Sequence, residues 1–432
     1  MLSDLDPEND PTGRRSFMKL MAAAPLFATI GARSAAAAVS KAVATPFKRN
    51  YSNNLYTEIG LRPLINGRGT WTYLTGSLEL PSVREAAMEA ANYFVDFFEL
   101  QAAVGRRLAE LSGAESGMIT DGAAAAIASA TAGCIAGTDP NRVWQLPDTT
   151  GLKGEVVMLG GRISFDSAIR GVGGKLVIAP TVNDLQSAIT SQTAMVYTTF
   201  KDDRLPNALK ITRAAGVPLF VDDAAGIPPY ENLTRFAKLG VDLYCFSGGK
   251  GLCGPQTSGL LLGRKVLIDA ALANSDPWEG AVCRPMKVGK EEIMGCLAAL
   301  DYWSKADLAA LNKEWQGRVE RIAKLVDTVP GVTTSIATPP TGNSYPTLTV
   351  QWDETRFGLT VPECAQQLRE GEPRIEVLTN TNPSGVPYPG KPTQTNRPDN
   401  LRIISMTLQP GEELIVGKRL REVLNKARKA SA

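Results

Sequence analysis

The chain has 432 residues, 44% of them hydrophobic and 21% charged, with a formal net charge of +2. That length accommodates one large domain and a smaller one, and the near-neutral balance gives no broad electrostatic footprint for nucleic acid. Histidine is absent, which excludes Ser-His-Asp and Cys-His catalysis, histidine-ligated zinc and an imidazole base, and leaves proton transfer to Lys, Asp, Glu, Tyr or Cys.

The first predicted element lies outside the fold. Gly13-Arg14-Arg15-Ser16-Phe17-Met18-Lys19 precedes an apolar run from Leu20 to Ala32 and the small residues Ala35 to Ala38. Twin arginines, a short apolar region and a small-residue cleavage site resemble a twin-arginine export signal over residues 1–38. The run is too short to span a bilayer comfortably. The resemblance implies export of an already folded protein to the periplasm or beyond, cleavage near Ala38, and no membrane association afterwards.

Residues 39–80 read as an N-terminal arm that includes the Gly-rich turn Leu64-Ile65-Asn66-Gly67-Arg68-Gly69-Thr70. One long helix is predicted from Ser82 to Leu111, between Pro81 and Gly113. From Met118 onward short apolar strands alternate with helices. Strands fall at 118–120, 156–159, 175–179, 194–200, 217–222, 241–246 and 258–262, with helices between, as in Gly122 to Ile135, Val182 to Thr190 and Ala208 to Ala215. Such interleaving means βαβ units and a mostly parallel sheet with helices on both faces. Long helices follow at Glu291–Ala309 and Leu311–Val329. Past Pro330, strands near 345–352, 374–379 and 401–405 and helices near 361–370 and 411–428 describe a smaller α+β domain. The predicted class is thus α/β, with a large domain at 81–309 and a smaller C-terminal one at 310–432. Thr381 to Asn400, rich in Pro, Gly, Asn and Thr, reads as a loop and a candidate active-site cover.

Within this frame the chemistry concentrates at Phe246-Ser247-Gly248-Gly249-Lys250-Gly251-Leu252-Cys253-Gly254-Pro255. A lysine among glycines, directly after a buried strand, is held against the scaffold where backbone and cofactor come close. A Schiff base with an aldehyde cofactor such as pyridoxal 5'-phosphate (PLP) needs such a lysine. Val217-Pro218-Leu219-Phe220-Val221-Asp222 ends another strand in a carboxylate, suited to keep a pyridine nitrogen protonated. Asp222 continues the strand more directly than Asp223 and is preferred. The turn Thr120-Asp121-Gly122-Ala123-Ala124-Ala125-Ala126 opens a helix of small residues, so Gly122, Ala123 and Ala124 stand where a phosphate would meet helix N–H groups, and the Ser247 hydroxyl could join them. As an ordinary helix start, Asp121 would simply cap it. A substrate carboxylate calls for a bidentate arginine. Arg402 and Arg284 rank ahead of Arg68 and Arg162. No metal site is predicted, because the six cysteines, at 134, 245, 253, 283, 296 and 364, include no Cys-x-x-Cys pair and read as isolated buried thiols.

From about Tyr56 to Leu424 the chain resembles the selenocysteine-synthase-like family of fold-type-I PLP-dependent enzymes, which takes in L-seryl-tRNA(Sec) selenium transferase and D-glucosaminate-6-phosphate ammonia-lyase. Carrying residues are Asn66 to Thr70, Thr120 to Ala125, Leu146-Pro147-Asp148-Thr149-Thr150-Gly151-Leu152-Lys153 and Val221 to Ala225. Most specific are Ser247-Gly248-Gly249-Lys250 and Arg284-Pro285-Met286-Lys287-Val288-Gly289-Lys290-Glu291-Glu292. The resemblance implies Lys250 as Schiff-base lysine, Asp222 at the pyridine nitrogen, Gly122, Ala123 and Ser247 near the phosphate, and a homodimer or higher oligomer with sites at the subunit interface. Many such enzymes stack an aromatic or imidazole ring on the cofactor. With no histidine here, Phe165 in Gly160-Gly161-Arg162-Ile163-Ser164-Phe165-Asp166-Ser167 is the candidate. The expected activity is elimination or deamination at Cα–Cβ of a small amino acid or amino-sugar acid, with Lys250 as base. Transfer to a tRNA is disfavoured for an exported chain without a basic surplus. Selenium-transferase-type β-replacement, aminotransferase chemistry, and a binding protein that keeps the fold without catalysis stay open as alternatives.

Overall fold

The computed structural model describes residues 49–340, 344–379 and 400–430. The expected leader lies outside the described residues, as does all but the last residue of the Thr381–Asn400 loop. The described residues divide into two units, one ending at Leu61 and the other beginning at Arg62. In the first, the one-turn helix Leu55–Glu58 starts at Asn54, whose side chain accepts hydrogen bonds from the Tyr56 and Thr57 N–H groups.

Among its described residues the second unit holds twelve strands: β1 Leu64–Gly67, β2 Ser116–Thr120, β3 Glu155–Leu159, β4 Lys175–Ala179, β5 Thr193–Thr198, β6 Leu219–Asp222, β7 Leu243–Ser247, β8 Gly259–Gly263, β9 Val332–Ala337, β10 Thr347–Trp352, β11 Arg374–Val377 and β12 Leu401–Ile404. Seven of them form one sheet in the order β2-β8-β7-β6-β5-β3-β4. The β3/β4, β3/β5, β5/β6 and β6/β7 pairs are parallel, and β8 runs antiparallel to both β7 and β2. Every residue of β5, β6 and β8 is buried. Strands covered on both faces read as continuous apolar runs in this way, because helices pack above and below them.

Two apolar clusters fill the two faces. One joins Val157, Val196, Val221, Tyr244 and Leu260 to Val83, Leu108, Leu209, Phe236 and Leu300 from helices. It continues into Trp315, Tyr345, Ile404 and Met406, so the C-terminal part shares this core. On the other face, Met118, Met158, Tyr197, Phe220 and Leu261 pack under Ala126, Ile127 and Ala130 of helix Gly122–Ala136.

Beyond the large sheet, β9, β10 and β12 make an antiparallel sheet, and β1 pairs in parallel with β11. The stretch from Leu64 to Gly67, expected to be a turn, is therefore a strand. Its partner lies in the last sixth of the chain, beyond the reach of local pattern. The single helix expected over 82–111 is two helices, Pro81–Ala90 and Phe97–Ser112. Asp96 accepts a hydrogen bond from the Glu99 N–H and starts the second, which explains the break.

Candidate active site

One edge of the large sheet collects nearly all the chemistry. In register, Thr120 of β2 faces Gly259 of β8, which faces Ser247 of β7, while Asp222 of β6 faces Cys245. The C-terminal ends of β2, β3, β5, β6 and β7 thus lie along the same edge, where open parallel sheets bind ligands. β2, β3, β6 and β7 are each followed by a polar or glycine-rich segment that the sequence marks out.

The Lys250 loop is built by close approach. A Cβ on Gly248 would lie 1.9 Å from Ser258 Oγ, one on Gly249 2.4 Å from Gln256 Oε1, and one on Gly251 1.8 Å from the Tyr345 hydroxyl. These glycines are needed to fold the loop onto its own protein neighbours, where the sequence suggested room for a cofactor. Backbone bonds from Cys253 N to Lys250 O, Gly254 N to Gly248 O and Ser77 N to Gly249 O hold it in place. The Lys250 amine is half-buried and sits 6.0 Å from the centroid of the exposed Phe165 ring. Burial lowers its pKa below the ordinary lysine value, against the opposing charge of Asp222, and the nearby Lys201 ammonium adds to the lowering.

Asp222 is buried and held by three donors. Tyr197 Oη donates to Oδ2 at 2.6 Å, the Ala224 N–H to Oδ1 at 3.0 Å, and the Cys245 thiol to Oδ1 at 3.5 Å. Asp223 faces elsewhere and binds the Lys201 ammonium. Burial raises the Asp223 pKa and the lysine opposes that rise. The two carboxylates thus differ in partner, Asp223 meeting a cation and Asp222 the donors of Tyr197, Ala224 and Cys245.

At the start of helix Gly122–Ala136, Gly122 has φ +77° and nothing within 4 Å of where a Cβ would stand. Ala123 and Ala124 follow on the first turn, with Ser247 at the end of the neighbouring β7. Asp121 does not cap the helix, for its side chain makes no hydrogen bond there. Burial raises its pKa, and the charge of Glu292 raises it further, so the carboxyl group is less readily ionised than an ordinary aspartate.

The arginines divide. Arg68 follows β1, is buried, donates to Val377 O at 3.0 Å and lies 5.3 Å from the Trp71 ring and 5.7 Å from the Tyr73 ring. Arg402 on β12 exchanges backbone hydrogen bonds with Leu378. Both therefore flank the end of β11, and the chain from Arg68 reaches the Lys250 loop at Ser77. Arg284 instead pairs with buried Asp276 at 3.4 Å, in a segment packed on helix Gly122–Ala136. Arg162 is tied to Asp166, which also binds Arg170 at 3.1 Å. Burial pushes the Asp166 pKa up, but the two arginines together bring it below the usual value. All six cysteines are described and free.

Tyr197 and Cys245 went unmarked in the sequence. Both lie inside fully apolar strand patterns, and only the register between strands reveals their shared partner. The residues at this edge suit PLP: open space over Gly122 for a phosphate, an anchored carboxylate for a ring nitrogen, and a half-buried amine for the aldehyde.

The Aminotransferase class-V family pattern matches residues 178–356. A Streptomyces 5'-C-glycyluridine monooxygenase-decarboxylase is 33% identical over 339 residues, covering 74% of this chain and 83% of the relative. The D-glucosaminate-6-phosphate ammonia lyase of Salmonella typhimurium is 29% identical over 87% of this chain and 99% of its own. A solved structure of an enzyme of that name superposes with a TM-score of 0.72 over the same shares. An L-seryl-tRNA(Sec) selenium transferase of Moorella thermoacetica is 26% identical, covering 67% of this chain and 68% of its own.

Proposed function

Because the chain belongs to the selenocysteine-synthase-like family of fold-type-I PLP-dependent enzymes, we propose that it removes ammonia from a small amino acid or amino-sugar acid by elimination across Cα–Cβ. The observation that carries this reading is the half-buried Lys250 amine, its pKa lowered, beside the anchored Asp222 carboxylate at one sheet edge. The ammonia-lyase name of a relative aligned over 87% of this chain supports the elimination outcome.

PLP, when bound, supplies the electron sink for a bond broken at the substrate Cα. The chain's own groups do the rest. Lys250 Nζ, favoured in its neutral form by burial, accepts the Cα proton, a task no histidine is present to take. Asp222 supplies the anchored carboxylate at the sheet edge, and Gly122 to Ala124 with Ser247 offer donors to a phosphate. Arg68 and Arg402, at the end of β11, are our candidates for the substrate carboxylate, and Phe165 for covering the cofactor ring. Arg284, paired with Asp276, is a weaker candidate. The net change is loss of ammonia and formation of a keto acid, with water lost from Cβ and regained at Cα.

The test is the visible spectrum of purified protein with added PLP, before and after borohydride, for wild type and Lys250→Ala. Wild type should gain a visible band, and borohydride should fix the cofactor covalently; Lys250→Ala should do neither. A wild type without a band sinks the reading, and a fixed band in Lys250→Ala moves the site to another lysine. Amine screening then follows ammonia, with oxygen uptake measured alongside because of the Streptomyces relative's name.

Export and assembly complete the proposal. The twin-arginine signal at Arg14-Arg15 supports export of the folded protein to the periplasm or outside. Met88, Tyr93, Phe94, Val95 and Phe98 expose an apolar ridge, continued by Trp278, whose ring lies 5.1 Å from Phe98. A ridge of that kind supports a homodimer or higher oligomer.

A further inference from the structure

Asp222 receives three protein donors, and one comes from a residue with no other evident task. Tyr197 faces Phe220 in the β5/β6 register, and the two rings stack at 5.6 Å with 14° between their planes. Strand side chains alternate, so Phe220 and Asp222 point to the same face. The phenol therefore runs along that face and ends at Asp222 Oδ2, 2.6 Å away. The ring lies in an apolar cluster with Met158, Phe220, Cys245 and Ile127. A phenylalanine would fill this space equally well. Burial raises the phenol's pKa, and the Asp222 charge raises it further, so the hydroxyl is a donor throughout the working pH range.

We propose that Tyr197 is a positioning residue for the cofactor, fixing the Asp222 carboxylate so that its remaining acceptor site faces the pyridine nitrogen. A carboxylate offers about four acceptor positions. Protein donors fill three here, from Tyr197, Ala224 and Cys245. The fourth is what a protonated ring nitrogen takes. With both oxygens tethered, the carboxylate cannot turn away while the cofactor enters or while charge shifts on the ring. The inference rests on the PLP reading above.

The experiment uses the mature full chain. PLP affinity by equilibrium dialysis and the visible band of bound PLP are compared in wild type, Tyr197→Phe, Asp222→Ala and the double variant. Loss of a hydrogen bond to a charged group should weaken PLP binding by about tenfold in Tyr197→Phe. Its band should move, and its melting temperature without cofactor should fall modestly, because the free protein makes the same hydrogen bond. In the Asp222→Ala background the Tyr197→Phe change should have no further effect, since the two residues act as one unit. A second variant, Tyr197→3-fluorotyrosine, keeps ring and hydroxyl but strengthens the donor, and should move the band opposite to Tyr197→Phe. Unchanged affinity and band in Tyr197→Phe, or an undiminished effect in the Asp222→Ala background, overturns the positioning role alone. Should Tyr197→Phe fail to fold, an unmoved band in the fluorotyrosine variant overturns it. Wild type that takes up no PLP overturns the inference together with the proposed function.

Discussion

At Lys250, burial and reactivity come from the same cause. Withdrawing an ammonium from water disfavours its charge, so the folded-state pKa lies below the unfolded value. Between those two values the unfolded chain binds more protons, and stability rises with pH there. Lys250→Met should therefore melt higher than wild type at pH 7 in the cofactor-free state. That gap should close as pH approaches the ordinary lysine range, about 10.4; a gap independent of pH would contradict a buried, proton-linked amine. Under saturating PLP, Lys250→Ala should lower ammonia release by about a hundredfold or more, the typical worth of a positioned base. Lys250 and Asp222 were legible because each is a charged residue closing an apolar run. Tyr197 was not, because a tyrosine inside Thr193-Ala194-Met195-Val196-Tyr197-Thr198 looks like any core aromatic until strand register brings it to Asp222.

Among elements, the loop and the turn at the sheet edge use glycine for opposite reasons. Gly251 has an ordinary φ and no space, with the Tyr345 hydroxyl 1.8 Å and Ile227 O 2.5 Å from a would-be Cβ. Gly122 has space and a positive φ. Gly251→Ala should cost about 1–3 kcal/mol through overpacking, and adding Tyr345→Phe should recover part of that in denaturant unfolding. Gly122→Ala should cost about 1–2 kcal/mol through backbone strain alone, with no rescue from Tyr345→Phe. Equal rescue of both would refute the distinction. Sequence pattern located the strand–helix alternation well, since apolar runs buried on both faces announce themselves. It failed where an element depends on distant pairing, as at β1, or on a cap inside a helical pattern, as at Asp96. The Gly-rich signal at 248–251 marked a closely packed loop but did not disclose Ser258, Gln256 and Tyr345 as its cause.

For the whole molecule, the apolar ridge and the leader give the remaining tests. Phe94 is fully exposed in the single chain. If the ridge joins subunits, Phe94→Asp with Val95→Lys should lower the mass measured by light scattering to that of one chain; a monomeric wild type would remove the ridge from consideration. Arg14→Lys with Arg15→Lys should leave the protein in the cytoplasm, whereas unaltered export would dismiss the twin-arginine reading. The pairing of β1 with β11 has a consequence for the protein's birth. Arg68 follows β1 and reaches Val377 O across 309 residues of chain. At ribosomal rates of about 5–20 residues per second, that interval is roughly a quarter of a minute to a minute. For that time the large sheet can assemble while the arginine's own strand waits without its mate. A nascent chain stalled before Arg374 would thus carry Lys250 and Asp222 but leave β1 an open edge, a state for a chaperone to cover rather than an enzyme.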